Sequence, residues 1–332
     1  MTVGAALIGA TGMWGGRIAD AAARGSGLRL VTCYGRERDR RDAFAAERGI
    51  EAAESFEEAV EHREVEAVLL VTPNDVHAEQ ALACAERGRH VFVEKPIADS
   101  VEAGEAMRDA FVEARLVLAV GHGMRRLGAA RRVKALLEAG ALGTVVLAEA
   151  NWSLPARLTP QAWRYYRERA PGGPILQLGV HHADTLAYWL GPVARSHGAF
   201  AHLALEAEID DVGAVLLEFE SGAIAALTGS YVSPRTYFLR AYGSSAALDY
   251  DVDMSVWPAA DRVDAATTLT LRSADGARAL DFEHVDPLAD ELDEFARCIR
   301  EGGEPETGAA EGIAALKVVM EALSSENASV DA

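Results

Sequence analysis

Residues Val3–Gly16 read VGAALIGATGMWGG, an apolar run that breaks into glycines and then into helical residues. Continuous apolar character over Val3–Ile8 marks a strand buried on both faces, as in a parallel sheet. Gly9, Gly12 and Gly15 fall where that strand would turn into a helix. Small residues there let the backbone approach a pyrophosphate, which the free N–H groups and the dipole of a helix start would hold. The spacing is GxxGxxG rather than GxGxxG, so one extra residue sits in the turn. Glycines alone mark any tight turn; their place between a strand and a helix is what points to a nucleotide. Gly9, Thr11, Gly12, Met13 and Trp14 are therefore candidate cofactor contacts.

Outward from this stretch the pattern repeats. LRLVTCYG, VEAVLLVTP, RHVFVEK and RLVLAVGH read as further buried strands, separated by RDAFAAERG, HAEQALACAERG and VEAGEAMRDAFVEA with helical periodicity. Repeated βαβ units predict a doubly wound parallel sheet, a Rossmann nucleotide-binding domain over residues 1–122. Beyond it the rhythm changes. AARRVKALLEAGALG leads to a strand TVVLAEANWS, a Pro-containing loop, and GGPILQLGVHHADTLAYWLG (Gly172–Gly191). Strand patterns dominate from Val193 to Phe282, and two helices close the chain. Residues 123–332 are thus expected to form a second α/β domain on a large, mostly antiparallel open sheet, with closing helices able to return to the first domain. In VGAVLLEF (Val212–Phe219) both alternate residue sets are apolar. A sheet with one wet face alternates, so the second face is expected to be covered by another subunit of a homodimer or homotetramer, or by an intramolecular sandwich.

The chain carries 51 acidic and 32 basic residues, a net charge of −19. Such a surface repels phosphate backbones and anionic lipid, which argues against nucleic-acid or membrane partners. Cys33, Cys84 and Cys298 are widely spaced with no CxxC pair, as in a reducing compartment and not in a disulfide framework or structural zinc site. With no basic leader before the first strand, the reading is a cytoplasmic protein. Lysines number three (Lys95, Lys134, Lys317), so one in a site-like context attracts notice.

Cofactor choice is read at the end of the second strand, TCYGRERDRRD. An acid there would accept from a ribose 2′-hydroxyl; an arginine would hold a 2′-phosphate. Gly35 and Arg36 take that place, and Arg38, Arg40 and Arg41 crowd a helix start where positive charge opposes the dipole. A bound phosphate would offset that arrangement, which favours NADP(H) over NAD(H). A solvated arginine face is the competing reading.

The stretches GATGMWG, VTPNDVHAEQALACAERGRHVFVEKPIA, GGPILQLGVHHADTL and ELDEFARCIREGGEPETGAAEGIAALKVV follow one another over nearly the whole chain. In them the sequence resembles the glucose-fructose oxidoreductase / inositol dehydrogenase (Gfo/Idh/MocA) family. The resemblance implies a Rossmann domain, a C-terminal α/β domain with a large open sheet, and dimers or tetramers packed through that sheet. It implies that Thr72, Pro73, Asn74 and His77 form the loop beside the cofactor, and that Glu94, Lys95 and Pro96 form a motif whose lysine faces nicotinamide and substrate. Trp163 and Arg164 match a common WR near the nicotinamide. His181 matches the histidine of DxGxH, and Gln177 stands where that motif has its acid.

Oxidising a secondary alcohol requires a base of matched pKa for the hydroxyl proton and a cation for the developing alkoxide. His181 suits the first role and Lys95 the second, or a desolvated Lys95 could itself act as base. Gln177, four residues before His181 on one helix face, can orient a ring or a hydroxyl but cannot hold a negative charge. His182 projects about 100° from His181 and reads more readily as a structural hydrogen-bonder. Asp184 is placed to orient His181 or to sit as a polar junction residue. The three do not share one face, and hydride transfer needs no metal. His122 and Arg125 of GHGMRR, with Trp163 and Tyr165 of the aromatic loop, are further candidate substrate contacts or ordinary surface residues. The leading reading is an NADP-preferring oxidoreductase acting on a secondary alcohol or ketone of a sugar, cyclitol or related ring. The others are a cyclic cis-dihydrodiol dehydrogenase, a nucleotide-retaining glycoside-processing enzyme and a non-catalytic cofactor-binding protein.

Overall fold

The computed structural model describes residues 2–25, 27–256 and 260–330. Its chain divides into two units, Met1–Gly123 with Pro287–Ile313, and Met124–Asp286 with Ala314–Ala332.

In the first unit the apolar runs are strands β1 (Val3–Ile8), β2 (Leu28–Tyr34), β3 (Glu51–Ala52), β4 (Ala67–Leu70), β5 (His90–Glu94) and β6 (Leu118–Gly121), all parallel, in the order β3-β2-β1-β4-β5-β6. Every residue of β1, β4 and β6 is buried, the outcome that continuous apolar character dictates when helices cover both faces. The covering helices are α1 (Met13–Arg24), α2 (Arg38–Arg48), α3 (Phe56–Glu61), α4 (His77–Glu86) and α5 (Val101–Ala114). Ser55 and Ser100 cap α3 and α5 by accepting from the third residue onward. A later segment returns to this sheet. Helix α8 (Pro287–Glu301) lays Phe295 against Phe92, with ring centroids 6.2 Å apart, and Asp293 accepts from the Gly27 amide at 2.7 Å. Thr307 then bonds both backbone groups of Val120 in β6, each at 2.8 Å.

The second unit is an eight-stranded sheet of β7 (Val145–Ser153), β8 (Val193–Ala201), β9 (Val212–Phe219), β10 (Ile224–Ser230), β11 (Thr236–Gly243), β12 (Ala246–Val252), β13 (Thr267–Ser273) and β14 (Gly276–Ala279). Their order is β14-β13-β12-β11-β7-β10-β9-β8, antiparallel except between β10 and β7. Helices α6 (Gly128–Glu138) and α7 (Val180–Leu190) lie together, Trp189 donating to the Ala130 carbonyl at 3.1 Å. The portion of α9 (Ala309–Val330) beyond Ala314 is held by β8, where Ser196 donates to the Val318 carbonyl at 2.8 Å. In β9, Val215, Leu217 and Phe219 are buried while Ala214 and Leu216 face outward. Among the described residues no helix is long and apolar enough to cross a membrane.

Helix α7 begins with an irregularity that the spacing of Gln177 and His181 does not announce. Ile175–Gly179 forms one π-helical turn before the α-helix starts. Its entry runs through Gly172 and Gly173, both at positive φ, and a Cβ on Gly173 would stand 1.9 Å from the Asp210 carbonyl oxygen. The backbone there requires glycine on both counts.

Candidate active site

In an open parallel sheet, ligands bind beyond the carboxyl ends of the strands, where the strand order reverses. Here that point lies between β1 and β4. Gly9 follows β1 at φ +91°, and a Cβ on it would meet the Val71 carbonyl oxygen at 2.8 Å. The turn after β1 and the loop after β4 therefore run against each other. Helix α1 starts at Met13 with Gly12 as N-cap and no side chain capping its first amides. Met13 is exposed, and the Arg17 guanidinium lies 4.9 Å from the Trp14 ring. Burial draws the Arg17 pKa down, partly offset by the charge of Glu94.

Thr72 donates to Gln80 Oε1 at 2.7 Å. Asn74 is buried, yet neither its amide nitrogen nor its amide oxygen has a hydrogen-bond partner. Such a buried amide costs about 1–3 kcal/mol for each unmet group unless a ligand meets it. A nicotinamide nucleotide offers an anionic pyrophosphate for the uncapped α1 start and donors and acceptors for Asn74, so the residues present fit that group. Lys95 follows β5, next to β4 in the sheet. Glu94 is buried, with its carboxylate against Gly121 of β6. His122, at the end of β6, is fully buried.

His77 faces inward. Its Nε2 lies 2.9 Å from the Thr72 carbonyl oxygen and its Nδ1 lies 3.0 Å from that of Pro96. Gly35 packs against Thr11, and Arg36 is exposed. The neighbouring arginines have acidic company. Arg40 contacts Glu37 and donates to the Thr11 carbonyl at 2.8 Å, Arg41 pairs with Asp42 and Glu54, and Arg38 lies 3.6 Å from the same two acids.

In the second unit, His181 and His182 are buried on α7 against Trp152 of β7, with centroid distances of 5.3 and 5.8 Å. The His181 ring lies 30° from the indole plane, close to stacking. His182 is enclosed by Trp152 and Tyr237, and burial lowers its pKa to about 4, so it stays neutral. Arg125 grips the Asp184 carboxylate with two hydrogen bonds, Nε to Oδ2 at 2.8 Å and Nη2 to Oδ1.

Gln177, in the π turn, is buried and accepts from Arg164 Nε at 2.9 Å. The Arg164 guanidinium stacks 4.5 Å from Trp163. Burial pushes the Tyr231 phenol up to about 12, with the Arg164 charge pulling the other way. Trp163 and Tyr165 pack on a small core of Ala170, Ala207, Ile209 and Tyr231. That loop is tied down by Tyr165 donating to the Glu206 carbonyl at 3.0 Å and by Arg167 pairing with Asp210 at 2.9 Å. Trp152, Tyr231 and Asp210 were not singled out from the sequence. Each lies far along the chain from the residues it touches, and no local motif marks it.

Residues 3–122 match the family model described as "Oxidoreductase family, NAD-binding Rossmann fold", and residues 130–249 match "GFO/IDH/MocA C-terminal domain". The chain is 31% identical over 302 residues to 1,5-anhydro-D-fructose reductase of Ensifer adhaerens, covering 89% of this chain and 88% of that one. It is 27% identical to scyllo-inositol 2-dehydrogenase (NAD(+)) of Bacillus subtilis, over 84% and 81% of the two chains. A solved structure from Desulfitobacterium hafniense, provisionally described as an NADPH-dependent oxidoreductase, is similar at a TM-score of 0.95 and 37% identity, over 99% and 96% of the chains.

Proposed function

This chain belongs to the GFO/IDH/MocA family of NAD(P)-dependent oxidoreductases, and on that premise we propose that it transfers hydride between NADP(H) and a secondary alcohol or ketone of a sugar, cyclitol or related ring. The carrying observation is the β1–β4 switch point, flanked by an uncapped helix start and a buried Asn74 amide with neither polar atom bonded. A bound nicotinamide supplies the hydride acceptor or donor. The glycine turn and the Thr72–Asn74 loop hold the nucleotide in this proposal. His181 takes the hydroxyl proton in the oxidative direction, and the Lys95 ammonium stabilises the oxygen as it becomes anionic. Gln177, bonded to Arg164, orients without adding charge. The preference for NADP(H) rests on Gly35 and Arg36 in place of an acid after β2, and on the Arg40 guanidinium drawn to the glycine turn by Thr11.

Fluorescence titration with NADPH and NADH, followed by turnover assays on panels of polyols and cyclic ketones, tests the reading. Tighter NADPH binding with turnover on at least one panel is expected. Binding without any turnover would favour a non-catalytic protein, and nucleotide that survives purification without net reduction would favour internal redox.

The same reading includes a second copy on the outer face of the sheet in the second unit. Val146, Leu147, Leu216 and Ile224 are 40–55% exposed there, beside a shallow depression lined by Ala214, Leu216 and Ala226. An apolar stripe of this kind on a single chain marks an interaction surface. Leu216→Glu is expected to convert an oligomer to a monomer in sedimentation velocity; an unchanged sedimentation coefficient would remove the interface from this face.

A further inference from the structure

We propose that His77 is a positioning residue that braces two backbone turns against each other, the one carrying Thr72 and the one carrying Lys95. The inference rests on the nicotinamide reading of the first unit and adds to it how two of its loops are fixed. His77 is the first residue of α4 and is 1% exposed. Each ring nitrogen lies within hydrogen-bond distance of a carbonyl oxygen, Thr72 at 2.9 Å and Pro96 at 3.0 Å. The Thr72 side chain is also tied to α4, through Gln80 at 2.7 Å. Helix α4 thus fixes Thr72 at two points and reaches across to the residue after Lys95 with a third.

The partners are both acceptors, which decides what the ring does. A neutral imidazole owns one N–H, so it donates to one carbonyl and turns a lone pair toward the other; only a protonated ring donates to both. Neither nitrogen is left to reach a ligand, so His77 acts on the cofactor through Thr72 and Pro96. Burial draws the His77 pKa down, while the two carbonyls, the Ile97 backbone and the charge of Asp75 work in the opposite direction. A histidine that merely filled the core would have no reason to separate nucleotide binding from turnover. A brace between a nucleotide loop and the Lys95 turn does.

Two amide side chains split the brace into its halves. His77→Asn keeps an N–H at roughly the reach of Nδ1, toward Pro96, and His77→Gln keeps one at the reach of Nε2, toward Thr72. Because the neutral ring donates to one carbonyl, one variant loses a hydrogen bond and the other only a packing contact. With the N–H on Nε2, His77→Asn is expected to weaken NADPH binding about tenfold with kcat little changed, the scale of one buried hydrogen bond. With the N–H on Nδ1, His77→Gln is expected to hold the NADPH Kd and lower kcat by about the same factor. Hydrogen–deuterium exchange of the nucleotide-free variants reads the brace without turnover. Amides of residues 72–76 should exchange faster in His77→Asn, and those of residues 95–98 faster in His77→Gln. Identical behaviour of the two variants in both measurements overturns the brace. If the wild type bound no nicotinamide nucleotide, the functional reading would fall, and the exchange pattern alone would decide the brace.

Discussion

His181→Ala is expected to lower kcat by roughly 10²–10⁴-fold, the range that a positioned general base supplies, with little change in nucleotide affinity. The expectation follows from where the side chain is held. Its ring packs on Trp152 with the planes 30° apart, Gln177 of the preceding turn is bonded to Arg164, and Thr185 donates to its backbone carbonyl at 2.9 Å. The ring is therefore oriented by protein rather than by solvent, and removing it would take away the proposed proton acceptor while leaving the first unit's glycine turn in place. The pH dependence supplies a second reading of the same group. Gln177→Asp places a carboxylate in the turn before the imidazole, which stabilises the protonated ring and moves the lower apparent pKa of the rate profile upward. Each unit of that movement corresponds to about 1.4 kcal/mol of added interaction. Arg164 will share the new charge, so a movement smaller than a full buried ion pair would give is expected. Steady-state kcat/KM between about pH 5 and 9 measures both, that window bracketing the ordinary histidine value. A His181→Ala enzyme with wild-type kcat would remove His181 from the chemistry. An unmoved profile in Gln177→Asp would mean that a different group titrates.

Arg125→Ala is expected to destabilise the folded chain by about 3–5 kcal/mol, the usual effect of removing one partner from a buried ion pair. The Arg125 and Asp184 side chains are 8% and 1% exposed, and two hydrogen bonds join them. The arginine lies three residues before the start of α6, and the aspartate sits one turn beyond His181 on α7, so the pair joins the approach to one helix to the next helix. Without the guanidinium, the buried Asp184 carboxylate loses two hydrogen bonds, which loosens α7. The double variant Arg125→Met/Asp184→Leu is expected to recover much of the loss, since well-packed apolar residues often replace a buried pair without cost. Urea denaturation of the three chains measures it. Equal midpoints for wild type and Arg125→Ala would show that the pair contributes nothing to stability.

Most of the architecture was legible because it is local. Buried strands that never alternate, each followed by an amphipathic helix, specify a parallel sheet whatever the distant chain does, and β1, β2, β4, β5 and β6 stand where those runs lie. The two short elements, β3 and α3, carry too few residues to show a period. At the site, residue type and motif brought Gln177 and His181 forward, but their partners were hidden. Asp184 meets Arg125 from 59 positions away, and Trp152 reaches His181 from a strand in another part of the fold. The arginines after β2 show the same limit. Their crowding is plain in the sequence, whereas the pairing of Arg41 with Asp42 and Glu54 depends on how α2 sits beside the loop at Glu54.

The single wide turn at Ile175–Gly179 also has a consequence for how this chain can change over time. A π turn is one residue wound extra into a helix, so it sets the angular phase between everything before it and everything after it. Deleting Leu178 would let the segment close into an ordinary α-helix and leave Gln177 three residues from His181 instead of four, about 60° off the same line along the axis. Point substitutions at this spot change a side chain; a one-residue deletion would change how the glutamine lines up with the histidine. Length, more than identity, is what this segment has to preserve.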